Sequence, residues 1–244
     1  MASINASITS VGLISSGDAT GNLELQGNGT TGLTVNNSGK VILANTALST
    51  ASAGTLEYDG GELYFTSLGT QRGLVPNMQY YRLNSGLAGA NVATAQSVFG
   101  VGCTLSANTV YQFEAVYSLG KSAGSTSHTI GTGFGGTATL NNISYQLTTM
   151  DSSVSYVASI DASQTILWVQ SAANQAIIAA TAATTFFISA RITGTVSVNA
   201  GGTFIPQYTL SAAPGGAYTT SAGSYFAIWP IGSAGSNTSI GTWA

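Results

Sequence analysis

The second half of the chain alternates between apolar and polar residues with a period of two. Between residues 110 and 119 one side of this alternation carries Tyr111, Phe113, Ala115, Tyr117 and Leu119. Residues 185–198 repeat the pattern, with Phe186, Ile188, Ala190, Ile192, Val196 and Val198 on one side. Because successive side chains of a strand point to opposite faces, the pattern predicts two long strands, each with one buried face.

Further apolar stretches with strand character follow at residues 143–147, 166–169, 204–210 and 225–229. The last of these is apolar at every position, which predicts a central strand covered on both faces. Glycine-rich turn signals separate the stretches. About eight strands over residues 78–244 therefore predict an all-β fold, an antiparallel β-sandwich of jelly-roll type. Residues 172–184 are also compatible with a short helix.

The first 50 residues show a different pattern, with short apolar pairs separated by turn residues. The pairs are Leu23 and Leu25, Leu33 and Val35, and Val41 and Leu43. They predict three short strands, none of them long enough to form a core alone. We expect this segment, residues 1–50, to serve as an N-terminal arm for trimerisation or attachment.

Residues 51–77 contain the clearest local signal in the sequence. Leu56 and Tyr58 precede Asp59-Gly60, and Leu63 and Phe65 follow it. An Asp-Gly pair between alternating apolar residues predicts a β-hairpin. Residues 71–77 are interpreted as a connector to the third segment, the sandwich head at 78–244.

The composition excludes several classes of function. The 244 residues include 5 basic and 8 acidic side chains, so only 5% are charged, and the net charge is −3. An ordinary soluble domain carries about 25%. So few cations argue against nucleic-acid binding, and one Cys with one His cannot form a Cys/His zinc site. No stretch is apolar enough for a membrane span, and the N-terminus does not resemble a signal peptide. We expect no cofactor.

A nearly uncharged surface favours association. Ser, Thr, Asn and Gln take the place of the missing charges. We therefore expect much of this surface to be buried in a fixed assembly, with a neutral monomer as the alternative.

Three sequence features invite a chemical interpretation that their context does not support. Gly131–Gly136 matches the G-x-G-x-x-G dinucleotide motif, but strand-like residues follow it where that motif requires a helix. His128 has no local partner for a nucleophilic triad and is expected in solvent or at an interface, where it would act as a modest pH sensor. Cys103 lies among apolar residues and is expected to be an inert buried thiol.

For two carboxylates and three tryptophans, the sequence leaves both a structural and a functional role to consider. Asp151 and Asp161 are the only acids after Glu114, and a glycosidase needs two carboxyl groups. Both aspartates fit turn positions better, so an enzyme is not expected. Trp168 and Trp229 are assigned to the sandwich core, and Trp243 to a terminal anchor. Stacking of exposed aromatic residues on sugar rings is the alternative.

Three blocks of sequence resemble a known group of proteins. They are residues 53–66 with the following Arg72-Gly-Leu-Val-Pro76, residues 201–215, and residues 223–232 with the Gly-Thr-Trp ending. Together they resemble surface proteins of tailed-bacteriophage virions, namely tail fibres, distal domains of tailspikes and capsid decoration (cement) proteins. The resemblance covers about residues 50–244. It implies a homotrimer with a β-sandwich head and no single catalytic set.

Two functions follow from this resemblance. The leading one is a trimeric cement protein on the outer capsid surface, which bridges subunits of the major capsid protein. The chain has no sizeable N-terminal domain for docking to a tail ahead of its short strands, which favours this interpretation. The alternative is a short tail fibre or adhesin that binds host surface glycan. The two roles are compatible, because a decoration head can also contact the host.

Overall fold

The computed structural model of the protein describes residues 21–27, 29–151, 164–235 and 237–243. The chain divides into two compact units, the first of Met1–Val75 with Ile240–Ala244 and the second of Pro76–Ser239. The described residues contain strands and no helix, and all strands pair antiparallel, which confirms the predicted all-β class.

The first unit consists of two small sheets in its described part. One has the order β1 (Leu23–Gly27), β2 (Thr30–Val35) and β3 (Val41–Leu43). The other has the order β4 (Leu56–Tyr58), β5 (Leu63–Leu68) and β6 (Gln71–Leu74). The three predicted short strands are thus confirmed. The connector predicted at 71–77 is partly wrong, because its first four residues form β6 against β5.

The predicted hairpin is confirmed, with Leu56 aligned with Phe65 and Tyr58 aligned with Leu63. Asp59 closes its turn, since its Oδ1 accepts hydrogen bonds from the backbone N–H of Gly61 (3.0 Å) and of Glu62 (2.8 Å). Gly60 has a φ of 95°, in the region that favours glycine. Asp59 and Gly60 therefore form the turn that the Asp-Gly pair predicts.

The second unit contains thirteen of the described strands. They are β7 (Gln79–Arg82), β8 (Leu87–Ala88), β9 (Gln96–Ser97), β10 (Cys103–Leu105), β11 (Thr109–Lys121), β12 (His128–Gly135), β13 (Thr139–Asp151), β14 (Gln164–Val169), β15 (Gln175–Thr181), β16 (Phe186–Ala200), β17 (Gly202–Leu210), β18 (Thr219–Thr220) and β19 (Tyr225–Ser233). The helix considered for residues 172–184 is wrong, because most of that stretch is β15.

These strands form a larger and a smaller sheet. The larger sheet has the order β14-β13-β16-β11; beyond β11 it continues with β19 and β7 along one part of β11 and with β18 and β8 along the other. The smaller sheet has the order β10-β17-β12-β15, with β9 also paired to β17. The strand predicted at 225–229 is central, because β19 has a partner on each side, and its residues 226–228 are buried.

The core lies between the two sheets. All five apolar residues of the alternating pattern in β11 are buried, and so are the six predicted in β16. Phe113 of the larger sheet lies 5.1 Å from Phe134 and 6.0 Å from Phe204 of the smaller sheet, measured between ring centroids. Phe113 of β11 thus lies in an aromatic cluster that joins the two sheets and includes Phe134, Phe204, Phe226 and Tyr145.

Candidate functional site

The outward surface of the larger sheet carries exposed aromatic side chains next to charged ones. Strand register arranges them in two adjacent rows that cross the sheet. The first row is Trp168, Gln146, Thr193, Glu114, Ala227 and Tyr80, and the second is Ile166, Thr148, Arg191, Val116, Tyr225 and Arg82. We call these two rows the aromatic face. From β14 to β7 it spans five strand spacings, about 24 Å.

Hydrogen bonds and ring contacts fix the centre of the aromatic face. Glu114 Oε1 accepts a hydrogen bond from the Tyr225 hydroxyl (3.1 Å) and pairs with Nη2 of Arg191 (3.1 Å). The Tyr80 and Tyr225 rings stack with centroids 5.4 Å apart. Burial, followed by the hydrogen bond to Glu114, raises the pKa of Tyr225. This centre therefore presents a fixed aromatic pair beside a guanidinium.

Trp168 shows that the assignment of the tryptophans to the core is wrong. Its side chain is 68% exposed, and its Nε1 donates to Ser144 Oγ (2.9 Å). Trp229 is only partly buried and aligns with Gln112 on the outward side of β11. Trp243 is exposed and donates to the carbonyl of Ile240 (2.7 Å). The register between β13 and β14, which turns Leu167 and Val169 inward, carries Trp168 outward.

The first unit has a second candidate site, an apolar sheet face. Register places six aliphatic residues of β1, β2 and β3 on one side, namely Leu23, Leu25, Leu33, Val35, Val41 and Leu43. None of them is buried, and Val41 is 63% exposed. On the opposite side, Glu24 Oε2 accepts hydrogen bonds from Gln26 (3.1 Å) and Thr31 (2.9 Å). We call the six-residue surface the aliphatic face.

The sheet formed by β4, β5 and β6 has charged side chains on its covered side and exposed apolar side chains on its other side. Its covered side holds an ion pair, in which Nε and Nη2 of Arg72 lie 3.0 and 2.6 Å from Glu57 Oε2. Ser49 donates to the other oxygen of Glu57, and these hydrogen bonds lower the pKa of that carboxyl. The open side instead exposes Leu56 and Phe65. The covered side therefore holds an ion pair beside the buried Tyr64, and the apolar side chains on the open side form a surface suited to a partner.

The glycine motif, Gly131–Gly136, lies mostly within a strand and not at a strand-to-helix turn. Residues 131–135 lie inside β12, and the next element is β13. A Cβ atom at Gly133 would lie 2.8 Å from the carbonyl oxygen of Ala172, so close backbone approach explains this glycine. Strand β12 ends at Gly135, and Gly136 has a φ of 120°, in the region that favours glycine.

His128 is buried in the second unit, which contradicts the expectation of a solvated or interface histidine. Its Nδ1 lies 2.7 Å from the carbonyl of Thr126 and its Nε2 lies 2.8 Å from the Tyr218 hydroxyl. A carbonyl only accepts, so Nδ1 donates to Thr126, while Nε2 is hydrogen-bonded to the Tyr218 hydroxyl. With both nitrogens engaged, the imidazole links the start of β12 to the segment that precedes β18.

Cys103 is partly buried and forms part of the wall of an apolar pocket of about 210 Å³. The pocket also includes Tyr81, Phe99, Phe226 and Ile228. Burial raises the pKa of the thiol to about 11. At neutral pH the side chain is therefore a thiol rather than a thiolate, which makes it a weak nucleophile.

The structure places one of the two candidate carboxylates. Asp151 ends β13, where it is aligned with the buried Ile188. Asp161 lies outside the described residues. The structure therefore does not test the proposed pair.

No group of three or more His, Cys, Asp or Glu side chains in the described ranges is arranged to hold a metal ion. No helix long and apolar enough to cross a membrane occurs in those ranges. Comparisons of the chain with protein-family models, curated proteins and solved structures give no match.

Proposed function

We propose that the protein is a non-enzymatic, homotrimeric structural protein of a bacteriophage virion, a cement protein that decorates the capsid. The observation that carries this proposal is the aliphatic face of the first unit, which no second layer covers among the described residues. Tyr64 is the one hydrophobic side chain of that unit that is buried in the described part. Three-stranded sheets of this size need a packed face for stability.

Association of three copies supplies the missing layer. When the six residues of the aliphatic face pack against their counterparts, a core forms between the chains. Complete burial of one Val or Leu side chain contributes about 1.5–3 kcal/mol. The open side of β4–β6 exposes two further apolar side chains, Leu56 and Phe65. The first unit is therefore the trimerisation element of the proposed protein.

The second unit supports attachment to a coat lattice through neutral contacts. No Asp, Glu, Lys or Arg occurs in the described strands of the smaller sheet. A contact made by such a surface depends on apolar burial and hydrogen bonds, which salt screens little. The partner proposed here is the major capsid protein, in line with the resemblance to virion surface proteins.

Copy number per virion tests the cement function. We expect peptide quantification of purified particles to approach one copy per subunit of the major capsid protein. A ratio of a few per cent would contradict the cement function and would place the protein on the tail or at vertices. Particles washed in molar NaCl should retain the protein, because few ion pairs are available to hold it.

A second candidate function, host-glycan binding as a short tail fibre or adhesin, is favoured by the aromatic face. Trp168 and the stacked Tyr80–Tyr225 pair present aromatic surface between amide and hydroxyl groups. Saccharides offer both apolar ring faces and hydroxyl groups, so this mixture suits them. The cement and glycan-binding roles remain compatible on one head.

Replacement of Trp168 tests this second function. We expect Trp168→Ala to weaken binding to host envelope polysaccharide about tenfold or more, which corresponds to about 1.4 kcal/mol. Trp243→Ala is the matched control, because Trp243 is also exposed but lies in the first unit. Equal affinity of the two variants would contradict a role for the aromatic face.

A further inference from the structure

The charged side chains of the second unit are concentrated on the aromatic face. The described residues of the second unit include five charged side chains: Arg82, Glu114, Lys121, Asp151 and Arg191. Lys121 is buried, with Nζ donating to the carbonyl of Gly124 (2.7 Å). Asp151 ends β13, where it is aligned with the buried Ile188. Of the other three, Arg82 and Arg191 belong to the second row of the aromatic face and Glu114 to the first. Two guanidiniums and one carboxylate give this face a net charge of +1, against −3 for the chain.

Arg191 is held in position while most of its donors stay available. Its side chain is 67% exposed, and its one ion-pair contact joins Nη2 to Glu114 Oε1 at 3.1 Å. The Tyr225 hydroxyl donates to the same oxygen, which fixes the carboxylate that orients the guanidinium. A guanidinium has five N–H donors in a planar fork. A free edge of the fork therefore suits a second carboxylate, bound in bidentate geometry.

The position of Arg191 within the face is also specific. Arg191 is separated from Ile166, the neighbour of Trp168 along β14, by two strand spacings in one direction. It is separated from Tyr225 by two spacings in the other direction. At about 4.8 Å per spacing, aromatic surface lies about 10 Å away on each side of the charge. The order across the sheet is thus aromatic, cationic, aromatic.

We propose that the aromatic face binds a saccharide that carries a carboxylate, such as a uronic acid polymer. The carboxylate is bound by Arg191, and sugar rings on either side contact Trp168 and the Tyr80–Tyr225 pair. Arg82 lies at the far end of the second row, where it donates to Asn84 Oδ1 (2.6 Å). It adds positive charge at the place where the saccharide chain leaves the aromatic face. This inference rests on the second candidate function and names the class of glycan that it requires.

The test compares carboxylated saccharides with the same saccharides after methyl esterification. The full-length protein is applied to an array of uronic acid oligosaccharides, their methyl esters and neutral glucans at low and moderate salt. We expect retention of the carboxylated forms, loss of most binding on esterification, and weaker binding at higher salt.

Two charge-matched variants locate the site. Arg191→Gln and Lys40→Gln each remove one positive charge, but Lys40 lies in the first unit on an exposed position. We expect Arg191→Gln to weaken binding to the carboxylated saccharide about tenfold or more, with Lys40→Gln unchanged. Arg191→Lys, which keeps the charge without the fork, should fall between them. Thermal unfolding of the variants checks that the fold is retained.

Four results would overturn the proposal, and one of them separates it from the function on which it rests. Equal binding of esterified or neutral glycans that still depends on Trp168 would leave glycan binding intact and refute the carboxylate. An equal loss in Arg191→Gln and Lys40→Gln would indicate unspecific attraction. Binding of polyglutamate with the same affinity would indicate an acidic protein partner instead. No retention of any glycan would contradict the second function itself.

Discussion

At the scale of single residues, Glu62 has the most unusual environment of the charged side chains. It is buried beside Asp59, whose charge repels a second negative charge. Burial, and then the charge of Asp59, raise the pKa of Glu62 to about 7 from an ordinary value of 4.5. The covered side of β4–β6 therefore holds a carboxyl group that is half protonated near neutral pH.

The raised pKa of Glu62 predicts a pH-dependent stability. The folded state binds the proton of Glu62 more tightly than the unfolded state does, so the contribution of Glu62 to the free energy of unfolding is greatest below pH 4.5 and falls as the pH rises through about 7. Glu62→Gln should remove this part of the pH dependence and raise stability at pH 8. Urea unfolding of wild type and variant between pH 4 and pH 8 measures both effects. An identical pH profile in the variant would show that Glu62 is not the group responsible.

Residue-level expectations from the sequence failed where a long-range contact decides the environment. The partner of His128 Nε2 is Tyr218, 90 positions along the chain, and no local pattern indicates that pairing. Trp168 was misplaced for a related reason. In β14 both sides of the strand carry apolar residues, so alternation alone could not show which side faces the core. The register with β13 decides it.

At the scale of elements, strands with strict alternation, a strong turn signal or a continuous apolar run were predicted correctly, and several short strands without such a signal were missed. β11 and β16 show polar and apolar positions in turn, and the β4–β5 hairpin carries Asp59-Gly60. β15 was ambiguous because its small apolar residues also suit a helix. β6 was missed because Gly73 interrupts its alternation, and only pairing with β5 makes it a strand. The aromatic face was not predicted, because it needs the order of six strands.

Adjacent residues of β3 allow a sharp test of the aliphatic face. Val41 belongs to that face, whereas Ile42, 49% exposed, lies on the opposite side of the same strand. Because an unpaired carboxylate at an apolar interface is costly, we expect Val41→Asp to dissociate the proposed trimer and Ile42→Asp to leave it assembled. Sedimentation velocity distinguishes the two outcomes. Dissociation by Ile42→Asp alone would assign the interface to the other side of the sheet.

At the scale of the whole molecule, two units with different surfaces divide the proposed work. In the part that the structure describes, the first unit leaves an aliphatic face uncovered and covers an ion pair, which is the reverse of an independent domain. The second unit has its own packed core, rich in aromatic residues, between two sheets. Association, which the composition predicts, stays a prediction, and the exposed large hydrophobic side chains of the described residues lie in both units.

The molar mass of the full-length protein in solution tests the central claim most directly. Light scattering coupled to size-exclusion chromatography should give about three times the mass of the 24.5 kDa chain, and the value should hold on dilution, because the interface is formed by apolar burial. A stable monomer at the mass of one chain would contradict the account, since the aliphatic face would then be a surface that the protein leaves open to water.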